Sequence, residues 1–254
     1  MRVLKFEIFK MIHKKEIFIF LFFIIGCSAL FASLLGSDSD IMIISGLERI
    51  GGMFFSVFVY NFVSELFLIQ IIIAVTVAGI WASELNNGTI AYVLTMAKSR
   101  KQIFLIKSGL SVTYSILYIA LLFTSCWLFY LLIGRNGKYY TDNFMSLIEG
   151  RLGSYFIIIL LMIVFTCSLV TLISMLESQM KALFYYMILL ILMRILEQVK
   201  AIKEFIPSYL FSGNHVYAGD WDSSKLLRSI IIIFIWSGVF YAISYIIFKK
   251  KNIN

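Results

Sequence analysis

Apolar and polar positions along this chain fall into long blocks. Six apolar stretches, 17–35, 54–82, 110–133, 153–176, 182–196 and 229–248, are separated by breaks that hold most of the charge. A run of ~20 apolar residues crosses the ~30 Å hydrocarbon core of a bilayer as one helix, so each block predicts a membrane span. The second block, about 29 residues or ~43 Å as a helix, exceeds that thickness and predicts a tilt, a bend or a protrusion. From Gly153 to Leu196 a lone helix would reach ~66 Å. That region is expected to fold back at Glu177-Ser178-Gln179-Met180-Lys181, giving the fourth and fifth spans.

The breaks carry patterns of their own. Within residues 1–16, Leu4, Ile8, Met11 and Ile12 share one side of a helix while Glu7, Lys10 and Lys14 lie opposite. This predicts an interfacial helix on the inner membrane surface with its lysines near anionic headgroups; a basic anchor without fixed structure is the alternative. Between the fifth and sixth spans, Ile202, Phe205, Ile206, Tyr209 and Leu210 recur at helical spacing around Pro207. A broken amphipathic or re-entrant segment on the outer face is expected there. The loop Ser83–Ser108 predicts a turn at Asn86-Asn87-Gly88 and a short, charged, projecting helix with Thr89 as its N-cap. A plain connector between two spans is the competing reading.

Composition agrees with a lipid environment: 61% of the 254 residues are hydrophobic, 14% are charged and proline occurs once, with a mean hydropathy of +0.94. The fold class expected is an all-α membrane protein, a single transmembrane domain over 1–254 with six transmembrane helices. Six spans leave no room for a soluble domain of ordinary size, so chemistry needing one belongs to another chain. The net charge of +8 follows the positive-inside bias rather than nucleic-acid binding. Arg2, Lys5, Lys10, Lys14 and Lys15, then Lys98, Arg100, Lys101 and Lys107, then Lys181, then Lys249, Lys250 and Lys251 fall on one side, outnumbering the basic residues of the other. Both termini and the Ser83–Ser108 loop are therefore expected to face the cytoplasm, with the chain multi-pass in a cell membrane.

Cys27, Cys126 and Cys167 lie inside apolar stretches without CxxC spacing and read as small core residues. His13 and His215 show no HExxH spacing, so no metal is expected. Ile24-Ile25-Gly26-Cys27 looks like a lipoprotein cleavage box, but the apolar run continues to Leu35, longer than a signal core, and predicts a retained span.

Several residues inside the spans are candidates for function. If the second block is one helix, Asn61, Glu65, Thr76, Gly79 and Ser83 form a stripe of polar or small residues facing protein or water. Glu65 is a pathway candidate or an interfacial, paired carboxylate near the outer headgroups. Arg194 and Glu197 can pair at i, i+3, Arg194 can meet Glu65 at an outer gate, or Arg194 can snorkel outward. Ser28, Ala32 and Gly36 make a small-xxx-small face for helix packing, within the chain or against a second subunit.

Glu84, Gly88-Thr89, Leu94, Ser99-Arg100 and Lys107 together resemble the pattern around the first cytoplasmic loop of ABC-2 type exporter permeases. The interfacial helix, six spans and long outer segment extend the resemblance over essentially the whole chain. Many members have a proline two residues before the Ser-Arg pair, where this chain has Ala97. The resemblance implies a permease subunit, itself no enzyme, that pairs with a second identical or homologous permease. It also implies a cytoplasmic ATPase coupled through Glu84, Gly88, Thr89, Ser99, Arg100 and Lys107. No cofactor is expected on the chain, ATP and magnesium being held by the partner. In keeping with this division, the sequence lacks a GxxxxGK[ST] loop.

The chain is most similar to small permeases of bacterial systems that export, or give immunity to, membrane-active peptides such as phenol-soluble modulins, lantibiotics and bacitracin. Phe- and Ile-rich walls suit an amphipathic peptide better than a small hydrophilic solute. The alternatives are an ion-coupled secondary transporter, for which no internal repeat or midplane acid pair is evident, and a lipid or drug exporter subunit. The absence of histidine from every span argues against an intramembrane protease that uses a Ser/His dyad or a histidine-held metal.

Overall fold

A computed structural model describes residues 2–36, 50–96, 99–143, 152–200, 202–211 and 223–251. The described residues are nearly all helical and contain no strand. In order the helices are α1 (Arg2–Ile12), α2 (Lys15–Gly36), α3 (Gly52–Glu65), α4 (Leu68–Asn86), α5 (Thr89–Met96), α6 (Arg100–Leu132), α7 (Leu152–Leu176), α8 (Gln179–Leu196), α9 (Pro207–Phe211) and α10 (Ser223–Lys250). Six of these, α2, α4, α6, α7, α8 and α10, are long and apolar enough to cross a membrane. The chain is therefore a multi-pass membrane protein. His215 lies outside the described residues.

The second apolar block is not one helix. α3 stops at Glu65 and α4 starts at Leu68, with Phe67 in the left-handed region at φ 58. A β-unbranched aromatic residue in that conformation costs roughly 1–2 kcal/mol, and it turns the chain between two helices, of which α4 alone has span length. The polar and small positions from Asn61 to Ser83 therefore do not share one continuous helix: Asn61 and Glu65 belong to α3, and Thr76, Gly79 and Ser83 to α4.

α6 also departs from the hydropathy reading, because it begins at Arg100 rather than Leu110. Ser99 caps it, its Oγ accepting the Gln102 amide at 3.2 Å, so the polar decapeptide ahead of the apolar run is helical. At 33 residues the helix is ~50 Å long and extends well beyond a ~30 Å hydrocarbon core. Before α9, Ile206 is extended and Pro207 opens the helix, the pairing that proline's fixed φ favours. Ile206 and Leu210 are buried while Ile202 and Phe205 are exposed, making this segment a short amphipathic element.

The chain divides into two compact units, one built from 1–13, 69–115 and 154–254, the other from 14–68 and 116–153. In the first, 72% of the apolar windows of α4 and α7 is buried against 17% for α8 and α10. α4 and α7 are thus its interior helices. α8 turns Ala182, Tyr186 and Leu190 inward at intervals of four and exposes Phe184, Ile188, Ile191 and Ile195, as a helix bounded by lipid does. Since lipid tails are as apolar as the core, close packing rather than water exclusion holds such helices together. Here Trp81, Phe104 and Phe248 pack with ring centroids 5.4 to 6.1 Å apart.

In the second unit Tyr130 is the hub. Its hydroxyl lies 2.7 Å from the Ile50 carbonyl and 2.9 Å from that of Thr141, and it accepts the Thr141 amide. Its ring stacks on Tyr140 at 5.0 Å, where Ile50 and Tyr140 form a β-bridge. Ser28 and Ala32 are fully buried, and the Ser28 hydroxyl meets Ser125 at 2.7 Å. A Cβ at Gly36 would stand 2.9 Å from the Ile133 carbonyl oxygen. The Ser28, Ala32, Gly36 face is used inside the chain, against the end of α6 and the turn after it.

Candidate functional site

α4 carries an apolar face up to Trp81 and then, one turn on, Glu84. Gly88, at φ +69, reverses the chain after Asn86 and Asn87, a conformation that costs glycine nothing. α5 follows, and α6 returns from its Ser99 cap, bringing Lys107 two turns into the helix back to Glu84. Lys107 Nζ donates to Glu84 Oε2 at 2.6 Å.

α1 closes the site. Glu7 and Lys10, three positions apart, lie on the same face of the helix. Glu7 Oε1 is 3.1 Å from Lys107 Nζ, and Lys10 Nζ is 2.7 Å from Glu84 Oε1. Glu7 Oε1 is near Lys107 but out of line for a hydrogen bond, so that contact is an ion pair without directed donation. The side chains are 0% exposed for Lys107, 1% for Glu7, 3% for Glu84 and 29% for Lys10. Two carboxylates and two ammonium groups neutralise one another. In a low-dielectric interior this matters, because leaving either charge alone there costs several kcal/mol. The Trp81 ring lies below the Lys107 ammonium, 6.0 Å away, adding a cation–π contact.

The basic residues nearby cap helices. Arg100 Nη1 donates to the carbonyls of Lys249 at 2.8 Å and Lys251 at 3.0 Å, with Phe248 at 3.4 Å. Lys251 Nζ donates to Met175 at the end of α7 at 2.9 Å. A cation on the last carbonyls of a helix satisfies orphan acceptors and complements the dipole.

These placements correct several expectations for the loop. Thr89 is the first residue of α5 and not the cap before it. α5, with sequence TIAYVLTM, holds no charge and does not project freely: Ile90 and Val93 are buried. Its outer side presents Thr89, Tyr92 and Thr95, and Tyr92 packs on Phe6 of α1 with ring centroids 6.3 Å apart. Of the six loop residues singled out, Glu84 and Lys107 meet in the ion cluster. Arg100 holds the end of α10, Ser99 caps α6, and Gly88 and Thr89 make the turn into α5. Thr76 bonds back to Ile72 at 3.0 Å, and Arg194 pairs with Glu197 at 3.0 Å within the last turn of α8 and the residue after it.

Glu7 and Lys10 were legible only as the polar side of an interfacial helix, and their place in the cluster went unforeseen. One signal pointed to Glu7: it is the sole acid between Arg2 and Lys15, among five basic residues.

No protein-family model, curated protein or solved structure matches the chain.

Proposed function

We propose that this chain is the membrane-spanning permease subunit of an ATP-driven ABC exporter, working with a second permease and a separate cytoplasmic ATPase, and that its cargo is an amphipathic, membrane-active peptide. The observation that carries the reading is the loop from Glu84 to Lys107. Two of the residues that resemble the ABC-2 pattern, Glu84 and Lys107, join α4 to α6 beside this loop, and the outer side of α5, Thr89, Tyr92 and Thr95, is left for a partner in this reading. A push on α5 reaches α4 and α6 through a short turn and a buried ion pair, which is how a partner's closure would move the spans. In this reading both termini and the loop face the cytoplasm of a bacterial cell. The chain is not an enzyme and binds no cofactor, ATP and magnesium residing on the ATPase.

The test is purification of the full chain from its native membrane in mild detergent, with sequencing of what travels with it, followed by reconstitution in vesicles. A co-purifying chain with a GxxxxGK[ST] loop and ATP-dependent movement of a fluorescent amphipathic helical peptide are expected. Peptide movement driven by an ion gradient without ATP would overturn the proposal in favour of a secondary transporter. ATP-dependent movement of a fluorescent phospholipid or drug, with none of the peptide, would overturn the cargo.

A further inference from the structure

α1 has two faces of different kinds, and the usual assignment is inverted. Its charged Glu7 and Lys10 turn inward to Lys107 and Glu84, while Leu4, Ile8, Phe9 and Ile12 are exposed, Phe9 at 63% and Ile12 at 54%. Four large apolar side chains on the outside of an 11-residue helix form a patch that a folded protein leaves uncovered only where something docks.

What docks is constrained by the chain and by charge. Only His13 and Lys14 separate α1 from the first membrane-crossing helix, and two residues reach no more than ~7 Å, so the patch is tethered to a lipid-embedded segment. Arg2, Lys5, Lys10, Lys14 and Lys15 surround it in the sequence against Glu7 and Glu16, and Glu7 is already neutralised inside. An apolar face bordered by cations matches an anionic bilayer surface, which offers hydrocarbon to the face and phosphates to the ammonium groups at its edge. A second copy would bring the same excess of positive charge against the face, and a soluble partner would have to reach a patch tied within two residues of a membrane-crossing helix.

We propose that α1 rests on the anionic inner leaflet, and that this contact keeps Glu7 and Lys10 seated in the ion cluster, so that the charge of the leaflet regulates the base of α4 and α6. The choice of leaflet rests on the cytoplasmic orientation proposed above. The coupling follows from burial. If α1 leaves the lipid, Glu7 moves off Lys107, and a fully buried ammonium keeps one carboxylate instead of two. Lys10, the most exposed member of the cluster, stands where it can serve both Glu84 and the headgroups. Glu7 is in this view a positioning residue that reports the state of the leaflet to Lys107.

The test uses the full-length chain alone, in lipid nanodiscs of POPC or of POPC with one quarter POPG, and reads amide hydrogen exchange over residues 4–12. Since each basic residue near an anionic surface contributes ~1 kcal/mol, exchange about tenfold slower in the POPG discs is expected. Phe9→Ser with Ile12→Ser should abolish the difference, and Glu7→Gln should speed exchange in both lipids. Equal exchange in the two lipids overturns the proposal, as does a lipid effect that survives the Phe9 and Ile12 changes. Inorganic phosphate slowing exchange in POPC discs to the same degree would assign the charge to a free anion, and protection that follows protein concentration alone would assign the face to a second copy. Either result overturns it. No ATPase enters the measurement, so failure here leaves the transport proposal standing, and failure of transport leaves this result standing.

Discussion

Lys107 and Glu84, on opposite sides of the loop that contains α5, meet at 2.6 Å with both side chains withdrawn from solvent. Removing one partner of such a pair leaves the other charged and buried, which costs about 3–5 kcal/mol. Lys107→Met should therefore lower the thermal unfolding midpoint of the purified chain sharply, because it strands Glu7 and leaves Glu84 with Lys10 as its one remaining partner in the cluster. Lys107→Met combined with Glu84→Gln should cost less than the sum of the two single changes. Additive losses would show that the two residues do not depend on each other.

Arg100→Ala should act locally. The carbonyls of Lys249 and Lys251 lose their donor, an effect of about 1 kcal/mol at a helix terminus. Amides in the last turn of α10 should exchange several-fold faster, with those around Glu84 unchanged. If Arg100 served only to contact a partner, exchange at residues 248–251 would not respond.

Tyr130→Phe keeps the ring on Tyr140 and Phe55 and deletes the hydroxyl shared by Ile50 and Thr141. Buried backbone groups left unpaired cost about 1–3 kcal/mol. The expected result is a lower midpoint together with faster proteolysis within residues 133–143. An unchanged cleavage rate would mean that stacking alone holds this segment.

Tyr92 is 61% exposed, so Tyr92→Ala should alter stability by no more than about 0.5 kcal/mol. In the proposed exporter the same change should weaken ATPase association several-fold, measured by co-purification at matched expression. Full retention of the partner would remove the outer side of α5 from the docking surface.

The six spans were legible because hydropathy over ~20 residues reports the one property that lipid selects. The length of the second block already called for a tilt, a bend or a protrusion, but the position of the break at Leu66 and Phe67 was not legible, since no proline or glycine marks it and a phenylalanine adopts the left-handed turn. Helical periodicity grouped Glu7 with Lys10 correctly but says nothing about which side of an amphipathic helix turns to the protein. In water the apolar side goes inward, whereas beside lipid the charged side can, and here it does. The early start of α6 was hidden for a related reason: Arg100, Lys101 and Gln102 look like loop to a hydropathy scale, yet they are good helix formers behind a serine cap. The Glu84–Lys107 pair needed the reversal at Gly88, a three-dimensional fact that the spacing of two charges does not contain.

The ion cluster has equal numbers of positive and negative charges, and Arg194 with Glu197 repeats that balance in α8. Carrying one elementary charge through a membrane potential takes ~2.3 kcal/mol per 100 mV, but an electroneutral group displaced as a body performs no electrical work. Displacing these four side chains together is therefore blind to voltage, and any response of this part of the protein to depolarisation falls to the charges outside the cluster, among them Arg2 and Lys5 of α1 and Arg100 and Lys101 of α6.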